Sequence, residues 1–379
     1  MKKKILITMH SMPIGGAERI LCDILQRFDY NIYDVTLLLY NKTGELLKSV
    51  PQQVTIKSLY GPPCYSFINK VKEKIYAIFN LRRVIDRMSV LKKVDNHYDS
   101  IISFCHGHAH MMHNFITDRT DNNISWIHSD LSVGNWGLPF FGNNIKNQEA
   151  AYNIMNNIVY VSNDAKNAFH KVFKLSPSVK EHVIYNFVNH ENILRLSNEK
   201  ICDIDKRKFT FINVGRLIDA KNQDRIIIAC DKLRTKGYDF ECWIIGDGYK
   251  RNYLQQCIDD KHLNEVVKLL GGKQNPYKYI DKADCFVLSS HQEGFSIVIV
   301  EAFSLSKPVI SMKSSGPAEL LGDSKYGILV NQDIDELVNA MERIIRDKEL
   351  YNHYSKMADV RASDFDGNNS MTEILHLLN

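Results

Sequence analysis

The sequence predicts an α/β protein of two domains, each a parallel sheet built from strand–helix–strand units, the two facing a cleft. Three observations carry this. At 379 residues the chain exceeds the roughly 250–300 at which one hydrophobic core stops growing. Short β-rich runs alternate with helical periods along most of its length, the pattern of crossover connections between parallel strands. One polar, strand-poor stretch, "NFVNHENILRLSNEKICDIDKRK", breaks the alternation and marks a hinge near residues 187–207.

Taken in order, the first strand is Lys4–Met9. Only five apolar residues precede His10, too few for a secretory leader but enough for a buried strand. Asp34–Tyr40, Val54–Leu59, Ser100–Cys105, Ile124–His128, Asn157–Ser162 and His182–Asn186 follow as further strands, with helices fitting between most of them. Past the hinge the scheme repeats with Phe209–Val214, Glu241–Gly246, Val266–Leu270, Asp284–Ser290, Pro308–Met312 and Gly327–Val330. The last helices, Asp333–Arg346 and Tyr351–Leu378, have no strand after them. The expected domains are residues 1–190 and 191–355, with a final helix, 356–379, crossing back to the first.

Composition narrows the function classes. With 44% hydrophobic and 24% charged residues the chain is neither disordered nor fibrous. A net charge of +4, from 48 basic and 44 acidic residues, is too mild to imply nucleic acid. No segment approaches the roughly 18 uncharged apolar residues of a membrane span. The eight cysteines form no C-x-x-C pair, so reduced thiols and a cytoplasmic location are expected.

One segment is strongly basic. Lys70, Lys72, Lys74, Arg82, Arg83, Arg87, Lys92 and Lys93 stand against Glu73 and Asp86, with Val71, Ile75, Ile78, Phe79, Val84, Ile85 and Met88 at helical spacing. This predicts a basic amphipathic helix. It serves either as a solvated outer face or as a contact with anionic lipid on the inner face of the cell membrane.

In open parallel sheets ligands gather at the carboxyl ends of strands, so the loops there are the candidate sites. After the first strand, Gly15 and Gly16 of "HSMPIGGAER" precede a helix expected from about Ala17. Such a pair brings backbone N–H groups to an anion, and it also serves as a plain tight turn. The G-x-G-x-x-G spacing of a nicotinamide site is absent. After Phe209–Val214, "GRLIDAKN" sets Arg216 and Lys221 five residues apart. A guanidinium fork and a mobile ammonium suit a diphosphate.

After Asp284–Ser290 comes "HQEGFSIVIVEAF". Its helix is expected to begin near Phe295 or Ser296, with Glu293 in the preceding turn and Glu301 about two turns in. That spacing puts the carboxylates about 12 Å apart along the axis, which fits two ends of an extended ligand better than a shared metal. Carboxylates are natural acceptors for vicinal hydroxyls. Glu301 sits among Ile297, Val298, Ile299, Val300, Ala302 and Phe303, where a charge needs a specific partner. Gly294 would let backbone amides approach a phosphate or sugar.

These residues, with "GGAER", "SWIH", "VSNDAKNAF", "VIYNFVN", "IIGDGYKR", "KPVIS" and "GPAELL", make the chain resemble, over nearly its whole length, the retaining glycosyltransferases of family four. The resemblance implies the GT-B double-Rossmann fold, and "EGFSIVIVE" matches the family's E-x7-E element. It further implies that the second domain binds a nucleoside diphosphate sugar. Glu293 would contact the sugar and Glu301 the ribose, while Arg216 and Lys221 hold the diphosphate. Gly15 and Gly16 would approach it from the first domain, and Gly294 and Phe295 complete the donor-binding set. His128, the histidine of "SWIH", matches the family position beside the reacting carbon. Neither a metal nor a cofactor is expected.

Two features depart from the pattern. Ser306 stands where the family usually has glycine, and Asp130 follows His128 by two residues. On a strand both side chains would share a face, making Asp130 a possible partner of His128. The cluster "HGHAHMMH" has metal-like spacing but no cysteine or acid cluster completes a set, so His106 and His108, together with Asp130, are assigned to the acceptor. The expected activity is metal-independent, retaining transfer of a sugar from a nucleoside diphosphate, UDP foremost. The acceptor is a glycan or lipid-linked glycan in surface polysaccharide synthesis. The rival readings are a nucleotide-sugar epimerase of the same architecture and a non-catalytic partner subunit.

Overall fold

The structure, a computed structural model, describes residues 2–62 and 81–379. Its strands are β1 (Lys3–Met9), β2 (Tyr33–Asn41), β3 (Thr55–Tyr60), β4 (Ser100–Ser103), β5 (Asn123–Ile127), β6 (Asn157–Tyr160), β7 (Lys180–Val183), β8 (Phe209–Val214), β9 (Phe240–Ile245), β10 (Val267–Gly271), β11 (Cys285–Leu288), β12 (Val309–Met312) and β13 (Ile328–Val330). The first seven form one sheet in the order β3-β2-β1-β4-β5-β6-β7, and the rest a second in the order β10-β9-β8-β11-β12-β13. Every strand pair is parallel. The expected α/β architecture of two Rossmann-like sheets is therefore observed, each predicted strand matching one of these within a few residues.

Burial explains why these runs are strands. In β1, Ile5, Leu6, Ile7 and Met9 are all buried, because a parallel sheet covered on both faces admits apolar residues at successive positions. The helices between strands show the complementary period. Gln223–Thr235 buries Ile226, Ile227, Cys230 and Leu233, and Ile334–Arg346 buries Leu337, Val338, Met341 and Ile344. Both stripes join Phe211, Phe240, Cys242 and Val287 in one core. Asp333 caps the second helix, its carboxylate accepting from Glu336 N at 2.9 Å, which satisfies one of the orphan donors of the first turn.

The chain divides into two compact units, Met1–Tyr185 with Asn368–Asn379, and Asn186–Gly367. The return to the first unit thus falls at Asn368, beyond the expected residue 356. Helix Lys348–Ala362 is anchored within the second unit. Ser355 Oγ donates to Ser306 O at 2.7 Å, Tyr354 OH to Ser324 O at 3.1 Å, and Arg361 Nε to Leu320 O at 3.2 Å. Only the short helix Asn368–Leu377 joins the first unit, where Ser370 Oγ donates to Tyr185 O at 2.9 Å and Asn122 Nδ2 to Leu377 O at 2.7 Å.

In the basic segment the described part is helix Arg82–Lys93. Lys70, Lys72, Lys74 and Glu73, with the apolar residues up to Phe79, lie outside the described residues, as does Cys64. The helix buries Asp86 and Val90 and leaves Arg83, Val84, Arg87, Met88, Lys92 and Lys93 exposed. The other seven cysteines carry free thiols. Among the described residues, no helix is long and apolar enough to cross a membrane.

Candidate active site

Strand order reverses twice. In the first sheet β2 and β3 lie on one side of β1 and β4 to β7 on the other, and in the second sheet the break falls between β8 and β11. At such a point the two connections leave in opposite directions and open a crevice at the carboxyl ends of the strands. In the second unit that crevice is bordered by the loop after β8, which carries Arg216 and Lys221, and the loop after β11, which carries Glu293 and Gly294.

The two loops are joined directly. Lys221 Nζ donates to Glu293 Oε1 at 2.5 Å, with both side chains largely shielded. Ser289 Oγ donates to Lys221 O at 2.8 Å, His291 N to Ala220 O at 3.2 Å, and the Asn222 amide meets His291 Nδ1 at 3.1 Å. Lys221 ends a 3₁₀ turn, Asp219–Lys221, and Asn222 takes a left-handed φ of 46° to start the next helix. Arg216 is exposed, its carbonyl accepting from Gln223 Nε2 at 3.0 Å, and it forms no salt bridge among the described residues. The loop after β9 packs on this one so closely that a Cβ on Gly246 would lie 1.8 Å from Gly215 O.

Glu293 is not part of the helix that follows. That helix is Ile297–Phe303, and Ser296 precedes it with φ 68° and ψ 66°, so the helical projection from Glu293 to Glu301 does not apply. Gly294 and Phe295 are held from the other side by Gly316, where a Cβ would meet Phe295 Cα at 2.5 Å and Gly294 O at 2.7 Å. Glu301 is 2% exposed, and Tyr277 OH donates to its Oε1 at 2.9 Å. Sequence reasoning missed Tyr277. The signal was its position at the start of the helix that follows β10, beyond a strand's carboxyl end. Ser306 has φ 53°, the left-handed geometry that favours the glycine the family usually carries there.

In the first unit, helix Gly16–Gln26 starts one residue before the expected Ala17, with Gly15 extended at its head and offering no side-chain cap. A Cβ on Gly15 would lie 2.2 Å from Glu18 Oε2. His128 falls just past the end of β5, its ring 4.7 Å from that of Phe104. Burial, with the ring of His106 nearby, lowers its pKa to about 3. The Nε2 atom is shielded and has no hydrogen-bond partner among the described residues. Asp130 does not serve His128. Its carboxylate accepts from Ser132 N at 2.9 Å and Ser132 Oγ at 2.6 Å, because the strand ends before either residue and the shared-face argument lapses.

The histidine cluster disperses. His108 stacks against His10 at 4.5 Å and Tyr40 at 3.9 Å, and His106 keeps a shielded Nδ1. His110 is buried on Ser103, Ser125 and Tyr152, and His113 on Asn123. Among the described residues no three metal-ligating side chains converge. Burial lowers His106 and His113 to about 4 and His108 to about 3.

Two outcomes are expected. These rings stay neutral in the folded protein while the unfolded chain binds protons below the ordinary value of 6.5. Stability is therefore complete above that value and falls as pH drops toward 4. Urea midpoints at pH 7.5, 6 and 5 should decrease in that order. Separately, Ser296→Gly removes a left-handed strain of about 1 kcal/mol. It should raise the melting temperature by roughly 2–4 °C in calorimetry.

Residues 195–361 match the family model described as glycosyl transferases group 1. An N-acetylgalactosaminyltransferase of Campylobacter jejuni, acting on N-acetylgalactosamine-N,N'-diacetylbacillosaminyl-diphospho-undecaprenol, is 35% identical over 196 residues, 51% of this chain and 52% of that protein. An uncharacterized glycosyltransferase of Methanocaldococcus jannaschii is 33% identical over 222 residues, 49% and 54% of the two chains. The chain thus spans about half the length of the curated relatives it matches. Among solved structures, HepE of Anabaena in complex with UDP and glucose has a TM-score of 0.76 at 20% identity, covering 99% of both chains. TarM has a TM-score of 0.78 at 13% identity, covering 100% of this chain and 99% of that one. The match to the glycosyl transferases group 1 model thus falls on most of the second unit, and the two sheets give the chain the GT-B fold.

Proposed function

We propose that this protein transfers a sugar from a nucleoside diphosphate sugar, with UDP as the nucleotide, to a hydroxyl of a glycan or lipid-linked glycan. Transfer proceeds with retention and without a metal. The observation that carries the reading is the Lys221–Glu293 pair at the strand-order reversal of the second sheet, with the Arg216 guanidinium exposed on the same loop. The relatives named above support it, one of them acting on a diphospho-undecaprenol glycan and one structure holding UDP.

In this reading Arg216 and Lys221 take the diphosphate, supplying the fixed positive charge that a divalent cation would otherwise bring. Glu293, held by Lys221, accepts from sugar hydroxyls, and Glu301 accepts from the ribose. Gly294 and Phe295, with Gly15 and Gly16, complete the donor-binding set. The bond from the anomeric carbon to the diphosphate breaks with its electron pair going to the phosphate oxygen. The acceptor oxygen bonds that carbon on the same face, its proton leaving with the diphosphate. His128 is neutral, so its ring offers hydrogen bonding without adding positive charge beside the developing oxocarbenium. His106 and His108 belong to the acceptor side of the reaction.

A lipid-linked acceptor fits the basic helix. Arg83 and Arg87 flank Val84 and Met88, which are 54% and 53% exposed, and mixed apolar and cationic faces of this kind settle on anionic bilayers. The inner face of the cell membrane is the proposed location.

Glu293→Ala and Lys221→Ala should each lower kcat/KM for transfer by about a hundredfold or more, with unchanged circular dichroism. Near-normal turnover in either variant would count against the assignment. For the membrane contact, a double substitution Arg83→Glu and Arg87→Glu should weaken co-sedimentation with phosphatidylglycerol vesicles at least tenfold, at about 1 kcal/mol per cation. Neutral phosphatidylcholine vesicles should show no such difference.

A further inference from the structure

We infer that Tyr277 is a positioning residue for nucleotide recognition. By fixing the carboxylate of Glu301, it sets the preference for a ribose over a deoxyribose in the donor. The inference rests on the proposed role of Glu301 at the ribose.

The last torsion of a glutamate is broad, so a carboxylate on a helix does not by itself present its oxygens in a fixed direction. Here Tyr277 OH donates to Glu301 Oε1 at 2.9 Å. One strong hydrogen bond to one oxygen fixes the rotation of the group and thereby the direction of the other oxygen's lone pairs. The second oxygen is shielded from solvent. A vicinal diol donates best to oxygens already aimed at it, since a preset acceptor pays less ordering entropy on binding.

Tyr277 is itself set from behind. It opens the helix Tyr277–Lys282 after Pro276, whose ring fixes φ at the turn. Its backbone N donates to Asn275 Oδ1 at 3.0 Å. The Asn275 amide in turn donates to Leu196 O at 2.8 Å and Glu199 Oε2 at 2.9 Å. The aim of Glu301 is therefore fixed through a chain of hydrogen bonds reaching the helix His190–Ser197. Anchoring the Tyr277 donor at two further points is what a directional role requires.

The test compares binding of UDP and 2′-deoxy-UDP by calorimetry to the full chain, its Tyr277→Phe variant and its Glu301→Gln variant, well below each melting transition. Phenylalanine keeps the ring and loses only the hydroxyl. The expected result is a clear preference for UDP in the native chain that shrinks at least fivefold in Tyr277→Phe, with kcat at saturating donor close to native and KM raised. Glu301→Gln should lose the preference as well. If Glu301→Gln loses it and Tyr277→Phe keeps it, Tyr277 is structural only and the inference is overturned, while the ribose role of Glu301 stands. If both variants keep the native preference, the ribose role of Glu301 falls and the inference falls with it. A lower melting temperature in Tyr277→Phe with an unchanged ratio would likewise overturn it.

Discussion

The contact between Lys221 and Glu293 is the constraint on which the rest of the site depends. Two opposite charges, both mostly out of water, each supply what the other lost on leaving solvent. They meet only because β8 and β11 are neighbours in the sheet and because both following loops leave from the same edge. The link is reinforced from the backbone upward, since Asn213 Nδ2 donates to Val287 O at 2.8 Å across the same strands. Neither residue would be fixed by its own loop alone. The crevice is built by joining them.

The fold was legible because buried parallel strands and amphipathic helices write distinct periods into the chain, and residues such as Ile5–Ile7 and Ile226–Leu233 carry them clearly. The site was legible to a different depth. Placing Arg216, Lys221 and Glu293 at strand ends required only order along the chain. Pairing Lys221 with Glu293 required knowing which strands are adjacent, which no local pattern states. The projection from Glu293 to Glu301 failed because Ser296 turns left-handed and delays the helix. Asp130 was misplaced for a similar reason, β5 ending at Ile127. Tyr277 was invisible because its contact with Glu301 joins the helix after β10 to the helix after β11.

The histidines illustrate how burial sorts residues that look alike in sequence. Four stand within eight positions, yet His110 and His113 are packed inside with neighbours that fill their hydrogen-bonding capacity in part. His108 joins an aromatic stack. Desolvation holds all of them below their ordinary protonation range. A spacing that suggests metal binding is here that of a short helix, His108–Asn114, with His110 and His113 packed inside and His108 set in an aromatic stack.

The first unit is discontinuous along the chain. Its helix Asn368–Leu377 is separated from the strands it packs beside by the whole of the second unit, and Lys3 Nζ donates to Asn379 Oδ1 at 2.8 Å. Domains fold as units, usually the N-terminal one first during synthesis. Residues 3–183 supply all seven strands of the first sheet, yet this unit gains the helix Asn368–Leu377 only after the Asn186–Gly367 unit has been synthesised. The second unit can therefore be completed before the first, although all the strands of the first are made earlier.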